Sequence, residues 1–332
     1  MEYRTLGRTG LKVSALAFGC GDVGGLMVRG EPADRERAIA RAVELGINYL
    51  DTAPSYGSGE SEKNLGVVLR ALRPPVIVGT KCRLSAADMA DVPGALTRSV
   101  ENSLALLGRG RLDLFHLHNP IGRVRSERRI GVADVLDQVV PALTKLQEQG
   151  KIRFFGVTAL GETGALHRVL ASGAIDTAQV CFNLLSPAAG HEVPMGFPAQ
   201  DFDGLARLAG EHGVGTIGIR VLAAGALSGQ VARHPIAIPA VDPIASGPDY
   251  ATDAARARAF EPLVAEGYAG SVLEAAFRFA LTTEAMSTVL IGTSDLAQLD
   301  FAAAAVAKGP LPAPAMDRLR AIWARLAASH PS

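Results

Sequence analysis

The sequence has no excess of charge of either sign. Lysine and arginine together number 33, and so do aspartate and glutamate, so the formal net charge is zero. Blocks of like charge are also missing, since Glu127 interrupts the arginines that cluster between positions 123 and 129. Nucleic acids and anionic membrane surfaces select basic patches. We therefore expect neither of them as a partner.

Cysteines are few, and long apolar runs are missing. Cys20, Cys82 and Cys181 are odd in number, and no two of them have zinc-ligand or redox spacing. Reduced, buried cysteines are typical of intracellular enzymes. No apolar run reaches the ~18 residues that span a bilayer, and the first thirteen residues lack a signal peptide's apolar region. We expect a soluble, cytoplasmic protein without a metal site.

What is present is an alternation of short β-like runs with longer amphipathic stretches, in a chain of 332 residues of which 48% are apolar. Strands are predicted at 15–18, 49–51, 76–80, 112–118, 152–158, 177–182, 215–219 and 288–291. Helices are predicted at 34–45, 61–72, 93–107, 132–149, 163–172, 201–212, 271–282, 296–308 and 315–328.

About eight β-then-α units imply parallel strands joined by right-handed crossovers. Eight units favour a closed (β/α)₈ TIM barrel of the α/β class, whereas five or six would favour an open doubly wound sheet. We expect one domain over residues 1–332, with an N-terminal β-hairpin at 3–13 and the helix at 315–328 as a C-terminal addition.

Two segments are too long for simple connections. Residues 119–131 follow the fourth predicted strand, and residues 223–270, which are rich in proline, glycine and alanine, follow the seventh. Both leave the carboxyl ends of strands, where barrels keep their active sites. We expect irregular functional loops there, and the alternative for the second segment is a disordered insertion.

Polar residues follow three successive predicted strands. Asp51 and Tyr56 follow the second strand, Lys81 the third, and His118 ends the fourth. Singly, each is typical of a cap, a packing residue or a solvated side chain. A parallel barrel brings all four to one rim. We interpret His116 as a packing residue on the opposite side of its strand from His118.

These four side chains suit proton transfer at a carbonyl carbon. A tyrosine has an ordinary pKa of about 10, and a nearby ammonium such as Lys81 lowers that pKa by favouring the phenolate. Asp51 can hold Lys81 through a charge-assisted hydrogen bond, while His118 can donate to a substrate oxygen. The set can move a proton but offers no electrons, so a hydride cofactor is required.

At these residues the chain resembles the aldo-keto reductase family over nearly its whole length. The likeness is carried by residues 6–14, 48–53, Tyr56-Gly57 and 150–158, while residues 139–146 and 150–153 look like those of galactose and aldose 1-dehydrogenases. The resemblance implies an NAD(P)-dependent oxidoreductase that interconverts an alcohol with an aldehyde, ketone or sugar. It implies Tyr56 as general acid/base, Lys81 lowering its pKa, Asp51 supporting Lys81, and His118 orienting the carbonyl.

The family binds an extended dinucleotide without a Rossmann domain, in agreement with the lack of a Gly-x-Gly-x-x-Gly fingerprint here. The resemblance assigns the nicotinamide amide to Thr158, Gln179 and Asn183. Arg220 stands at a stacking or phosphate position. The pyrophosphate loop would comprise Leu222, Ala224, Gly225 and Leu227. The adenosine phosphates would lie at a helix N-terminus near Gly292, Thr293, Ser294 and Gln298.

Two departures from the family concern the adenosine end. The usual basic residue for a 2′-phosphate would stand near Leu296, and the usual asparagine near Ala302. We expect NADP(H) or NAD(H), with NADP(H) preferred. Position along the chain suggests Asp22, Val23, Asn119 and Met27 as substrate contacts.

Two other functions are open on the sequence. One is a non-catalytic nicotinamide-binding regulatory subunit, which would resemble the potassium-channel β subunits. The other is a barrel hydrolase, which would require clustered carboxylates or histidine ligands at strand ends. The oligomeric state is left open.

Overall fold

Eight parallel strands close into a barrel in the computed structural model, which describes residues 1–329. Around the barrel the order is β3-β4-β5-β6-β9-β10-β11-β12, with β12 pairing back to β3. The strands are β1 (Tyr3–Thr5), β2 (Lys12–Ser14), β3 (Leu16–Gly19), β4 (Tyr49–Asp51), β5 (Ile77–Cys82), β6 (Leu112–Leu117), β7 (Ile121–Gly122), β8 (Ile130–Gly131), β9 (Ile152–Ala159), β10 (Thr177–Cys181), β11 (Gly215–Ile219) and β12 (Met286–Gly292). The predicted (β/α)₈ fold is confirmed.

Helices alternate with these strands and cover the barrel. They are α1 (Leu26–Arg29), α2 (Pro32–Glu44), α3 (Glu60–Leu72), α4 (Val92–Leu107), α5 (Val132–Asp134), α6 (Val140–Glu148), α7 (Thr163–Ala171), α8 (Leu205–Glu211), α9 (Tyr250–Ala257), α10 (Glu261–Ala265), α11 (Val272–Phe279), α12 (Leu296–Ala307) and α13 (Ala313–Ala328). Within residues 1–329, no helix has the length and apolar character to cross a membrane.

The N-terminal hairpin plugs the amino end of the barrel. Strands β1 and β2 pair antiparallel, and Leu6 and Val13 join an apolar cluster with inward-facing barrel residues such as Tyr49 and Leu114. Gly7 has a φ of +47°, and a Cβ there would lie 2.2 Å from the Gly215 nitrogen. Only glycine allows this close approach. Because the hairpin closes the amino end of the barrel, the carboxyl end is the open mouth.

The structure corrects two details of the predicted helices. The stretch 132–149 is interrupted by a π-helical turn at Val135–Val139 just before Pro141. A proline lacks an N–H and clashes with the carbonyl four residues earlier, and a π turn relieves both. The helix predicted at 201–212 is only Leu205–Glu211, because Asp203 and Gly204 have positive φ angles of 48° and 66°.

The segment 223–270 is not uniformly irregular, so that prediction was wrong. It contains α9 and α10, and the Asp249 carboxylate caps α9 by accepting from the Thr252 N–H at 2.7 Å. Phe260, just before α10, and Leu263, within it, are buried. The alanine-rich composition hid a helical period that becomes stable only when this segment packs against α11 and α13.

Candidate active site

A cavity of about 850 Å³ opens at the carboxyl ends of the barrel strands. Its wall includes Gly19 of β3, Asp51 of β4, Thr158 of β9, Ile219 of β11 and Gly292 of β12. The volume falls in the range of small-molecule and cofactor sites. Tyr56 and His118 line the same cavity.

Asp51 and Lys81 form an ion pair that is almost completely enclosed. Each side chain is only 1% exposed, and the Lys81 ammonium donates to Asp51 Oδ1 and, at 2.8 Å, to the Thr52 carbonyl. Asp51 Oδ2 accepts from the Tyr49 hydroxyl and the Gln179 amide, each at 2.8 Å. Burial lowers the pKa of Lys81, but Asp51 and Tyr56 outweigh it and raise that pKa above its usual value. The ammonium is therefore charged.

Tyr56 lies directly against this ammonium. The Lys81 nitrogen is 4.9 Å from the ring centroid of Tyr56, and the closeness of the two side chains contributes to the raised pKa of Lys81. Burial raises the pKa of Tyr56 above its ordinary value, and Lys81 acts in the opposite direction. Burial thus favours the protonated phenol, and the Lys81 charge reduces the cost of ionising it.

His118 faces Tyr56 from β6 as a neutral imidazole. Burial, assisted by the Lys81 charge, lowers the pKa of His118 to about 3. Its ring is perpendicular to the Tyr56 ring, with centroids 6.0 Å apart. A neutral imidazole carries one N–H donor, so His118 can hydrogen-bond to a substrate oxygen without competing as an acid.

His116 does not occupy the opposite side of the strand, so that interpretation was wrong. Residues two apart on a strand share a face, and the His116 ring lies inside the barrel with Nε2 2.9 Å from the Thr177 hydroxyl. Burial and the Lys81 charge lower the pKa of His116 to about 3. It adds a neutral ring to the interior of the barrel.

Gln179 and Thr158 connect the far side of the barrel to the ion pair. The Gln179 amide nitrogen donates to Asp51, while its oxygen accepts from the Thr158 hydroxyl at 3.3 Å. Both residues line the cavity. The sequence suggested only a role at a cofactor amide, and it did not reveal that Gln179 also holds the carboxylate of Asp51.

Asp22 fixes the turn that carries Tyr56. Its Oδ2 accepts from the Gly57 N–H at 2.9 Å and its Oδ1 from Arg29 at 2.9 Å. Gly57 and Ser58 have positive φ angles of 58° and 53°, so this turn is conformationally strained and requires such support. Asp22 and Val23 line the cavity as the sequence predicted.

Five residues of the predicted site do not line the cavity, and one of them is Lys81, which is enclosed beside Asp51. The other four are already used elsewhere. Asn183 is buried, and its side chain bonds the Arg220 carbonyl and the Leu185 and Ser186 amides. Asn119 bonds both backbone groups of Leu84. Leu227 and Met27 are buried apolar side chains. In each case the backbone or the core already uses the side chain.

The other predicted cofactor contacts do line the cavity. They are Thr158, Gln179, Arg220, Leu222, Ala224, Gly225, Gly292, Thr293, Ser294 and Gln298. Ala223 and Ala224 have φ angles of 47° and 60°, an unusual conformation for residues with a Cβ. Such strain is concentrated at ligand sites.

A segment after β11, residues 230–238, crosses the cavity, and we call it the strap. Arg233 holds it in place by donating to the carbonyls of Val23, Ala224 and Ile238. The Arg29 guanidinium also donates to the Ile236 carbonyl at 2.7 Å. Sequence reasoning missed the strap, although an isolated arginine in a proline-rich loop after the seventh strand was an available signal.

Aromatic side chains at the cavity's other end were also missed. The rings of Phe277 and Phe301 lie 6.3 Å apart, and both line the cavity together with Tyr250. Within the described part of the chain, no group of three histidine, cysteine, aspartate or glutamate side chains could hold a metal ion.

The closed eight-stranded barrel with a deep polar site at its carboxyl mouth defines a (β/α)₈ barrel protein. The aldo/keto reductase family model matches residues 15–324. The chain belongs to the aldo/keto reductase family.

Known proteins similar to the chain include a dehydrogenase and a putative channel subunit. L-galactose dehydrogenase of Arabidopsis thaliana is 37% identical over 164 residues, covering 48% of this chain and 49% of that protein. A putative voltage-gated potassium channel subunit beta of Schizosaccharomyces pombe is 31% identical over 169 residues, covering 48% and 45%. The match therefore spans about half the length of these relatives.

A solved aldo-keto reductase from Bacillus halodurans, in its holo form, superimposes with a TM-score of 0.70 at 25% identity. The superposition covers 98% of this chain and 96% of that one. The shared architecture therefore extends over the whole barrel.

Proposed function

We propose that the chain is an NAD(P)-dependent oxidoreductase that interconverts a carbonyl compound and an alcohol by hydride transfer, with Tyr56 as general acid/base. The observation that carries this proposal is the enclosed set of Tyr56, Lys81 and Asp51, which opens with a neutral His118 onto one cavity. Family membership supports the reaction class.

The proton chemistry follows from the chain's own residues. In reduction, the Tyr56 hydroxyl donates its proton to the substrate oxygen as charge develops there, and in oxidation the phenolate removes it. Lys81 stabilises the phenolate, and Asp51 keeps the ammonium in place. The His118 N–H polarises the carbonyl, and such preorganised donors contribute strongly to rate.

The cavity has features that fit a dinucleotide. When bound, the nicotinamide cofactor supplies or accepts the hydride. Arg220 and the strained turn at Ala223 and Ala224 would hold its nicotinamide half and phosphates. The Thr293 hydroxyl, buried in the wall, has no hydrogen-bond partner, which supports a ligand there because buried polar groups are usually paired.

The substrate we propose is an aldehyde or a sugar. Asp22, Ser55 and Arg220 give the catalytic end of the cavity a polar lining, which suits a hydroxylated molecule. The similarity to L-galactose dehydrogenase supports an aldose.

A second candidate function is a non-catalytic nicotinamide-binding subunit, which the similarity to a channel β subunit favours. Against it, the structure keeps Tyr56, Lys81, Asp51 and His118 together around the cavity. Catalytic turnover distinguishes the two functions.

The test is a screen of NAD and NADP with aldoses and aldehydes, followed at the nicotinamide absorbance. Turnover is expected with at least one pair and should fall by about 10²–10⁴ in Tyr56→Phe, with cofactor affinity within a few fold. Tyr268→Phe, at a tyrosine outside the cavity wall, is the matched control and should keep full activity. A Tyr56→Phe enzyme with most of its turnover would contradict the proposal.

A further inference from the structure

The cavity's second end lies between β12 and α11, away from Tyr56. Its wall consists of the loop Gly292–Asp295 at the start of α12, the apolar side chains of Leu273 and Phe277, and the ring of Phe301. Phe301 remains 41% exposed. An exposed aromatic ring beside a cavity offers a stacking surface to a planar base. We call this region the adenosine end.

The hydroxyl groups at this end differ in whether they have a partner. The Ser294 hydroxyl donates to the Gly24 carbonyl at 2.6 Å, and the Gln298 side-chain oxygen accepts from the Ser294 N–H at 2.9 Å. The Thr293 hydroxyl is 2% exposed and has no partner. This end therefore lacks a hydroxyl cluster free to surround a phosphate.

The wall of this end carries the carboxylate of Asp295, with His234 beside it. Asp295 lines the cavity, its Oδ1 caps α12 by accepting from the Gln298 N–H at 2.8 Å, and its Oδ2 lies 3.6 Å from His234. Arg233, next to His234 in the strap, directs its guanidinium to three backbone carbonyls. The other arginine of the cavity wall, Arg220, lies near Tyr56 and acts to lower the pKa of that phenol.

We infer that the adenosine end selects NAD(H) over NADP(H), with Asp295 as the discriminating residue. The inference rests on the proposed function and reverses the preference expected from the sequence. A ribose 2′-hydroxyl can donate a hydrogen bond to a carboxylate. Acidic residues accept this hydrogen bond in other NAD-binding sites. A 2′-phosphate carries up to two negative charges, requires cationic partners and would meet Asp295 instead.

The experiment is calorimetric titration of the full chain with NAD⁺ and with NADP⁺, which measures affinity without turnover. NAD⁺ should bind at least about tenfold more tightly than NADP⁺. The 2′-phosphate of NADP⁺ is repelled by the Asp295 carboxylate and cannot replace the hydrogen bond that the 2′-hydroxyl of NAD⁺ donates. Asp295→Asn removes the charge while keeping a side chain that caps helices well, and it should narrow the ratio at least about threefold, mainly by tightening NADP⁺.

Asp91→Asn is the matched control, since Asp91 caps α4 by accepting from the Gly94 N–H and lies outside the cavity wall. Its NAD⁺/NADP⁺ ratio should equal that of the unmodified chain. Melting curves establish that both variants fold. Equal or tighter binding of NADP⁺, or an unchanged ratio in Asp295→Asn, overturns the inference and leaves the proposed oxidoreductase intact. Binding of neither dinucleotide overturns both.

Discussion

Replacing Lys81 by methionine should destabilise the protein as well as abolish turnover. The substitution leaves the Asp51 carboxylate, which is 1% exposed, without its counter-ion. Breaking a buried pair on one side costs about 3–5 kcal/mol. Because Tyr49 and Gln179 still donate to Asp51, the expected loss lies near the lower limit, at about 3 kcal/mol.

The double variant Lys81→Met with Asp51→Asn removes both charges and should recover about 2 kcal/mol of that loss, because no unpaired charge remains buried. Its activity should stay at the level of the single variant, since burial then raises the pKa of Tyr56 without the opposing effect of Lys81. The second substitution would thus restore part of the stability without restoring turnover.

Urea unfolding can be followed by the fluorescence of Trp323, the single tryptophan, which is buried and donates to the Leu184 carbonyl. Lys63→Met is the control, because Lys63 pairs with Glu60 on the exposed face of α3 and such pairs contribute little. If Lys81→Met unfolds at the same urea concentration as the parent, the pair does not have the burial described here. Recovery of turnover in the double variant would refute the role of Lys81.

Three further predictions concern pH, the strap and the catalytic turn. Since His116 and His118 have pKa values of about 3 in the fold against an ordinary 6.5, the unfolded state binds more protons in that window. The free energy of unfolding should therefore fall as the pH drops from 6.5 towards 3, and His116→Gln should make this urea-measured fall shallower; a parallel pH profile would contradict it. Arg233→Met removes the donor to three carbonyls, which tie the strap to Val23 and Ala224, and should speed cofactor release about tenfold in stopped-flow fluorescence, whereas an unchanged rate would exclude a strap role. Asp22→Ala frees the Gly57 N–H and should lower kcat about ten- to a hundredfold through a misplaced phenol with little change in melting temperature; a change confined to KM would argue against this.

The barrel could be predicted from the sequence because its signals are local and repeated. Short apolar runs ending in Asp51, Lys81 and His118 recur at βα spacing, and the carboxyl ends of parallel strands necessarily share one mouth. Helix boundaries were less accurate where backbone geometry decided them, as at Gly204 and Pro141.

Residues of the candidate site could be predicted where their position at the end of a strand decided their environment. They could not be predicted where hydrogen-bond partners of the side chain decided it. Asn183 and Asn119 have the chemistry of ligand contacts, yet neighbouring backbone groups use both side chains. The contacts of Arg233 with Val23 join segments 210 residues apart. Such long-range partners follow from tertiary packing, which local sequence patterns do not encode.

The hydrogen bond between Gln179 and Asp51 joins β10 to β4, which stand diametrically opposite in the ring of eight strands. An amino-terminal half-barrel ending before β9 would contain every one of the four acid–base residues and still lack this amide. In that half-barrel the Asp51 carboxylate would accept only from the Tyr49 hydroxyl and the Lys81 ammonium. The proposed catalytic centre therefore requires the complete barrel, and complementation of two separately made halves should restore it only when β6 pairs with β9 and β12 pairs with β3.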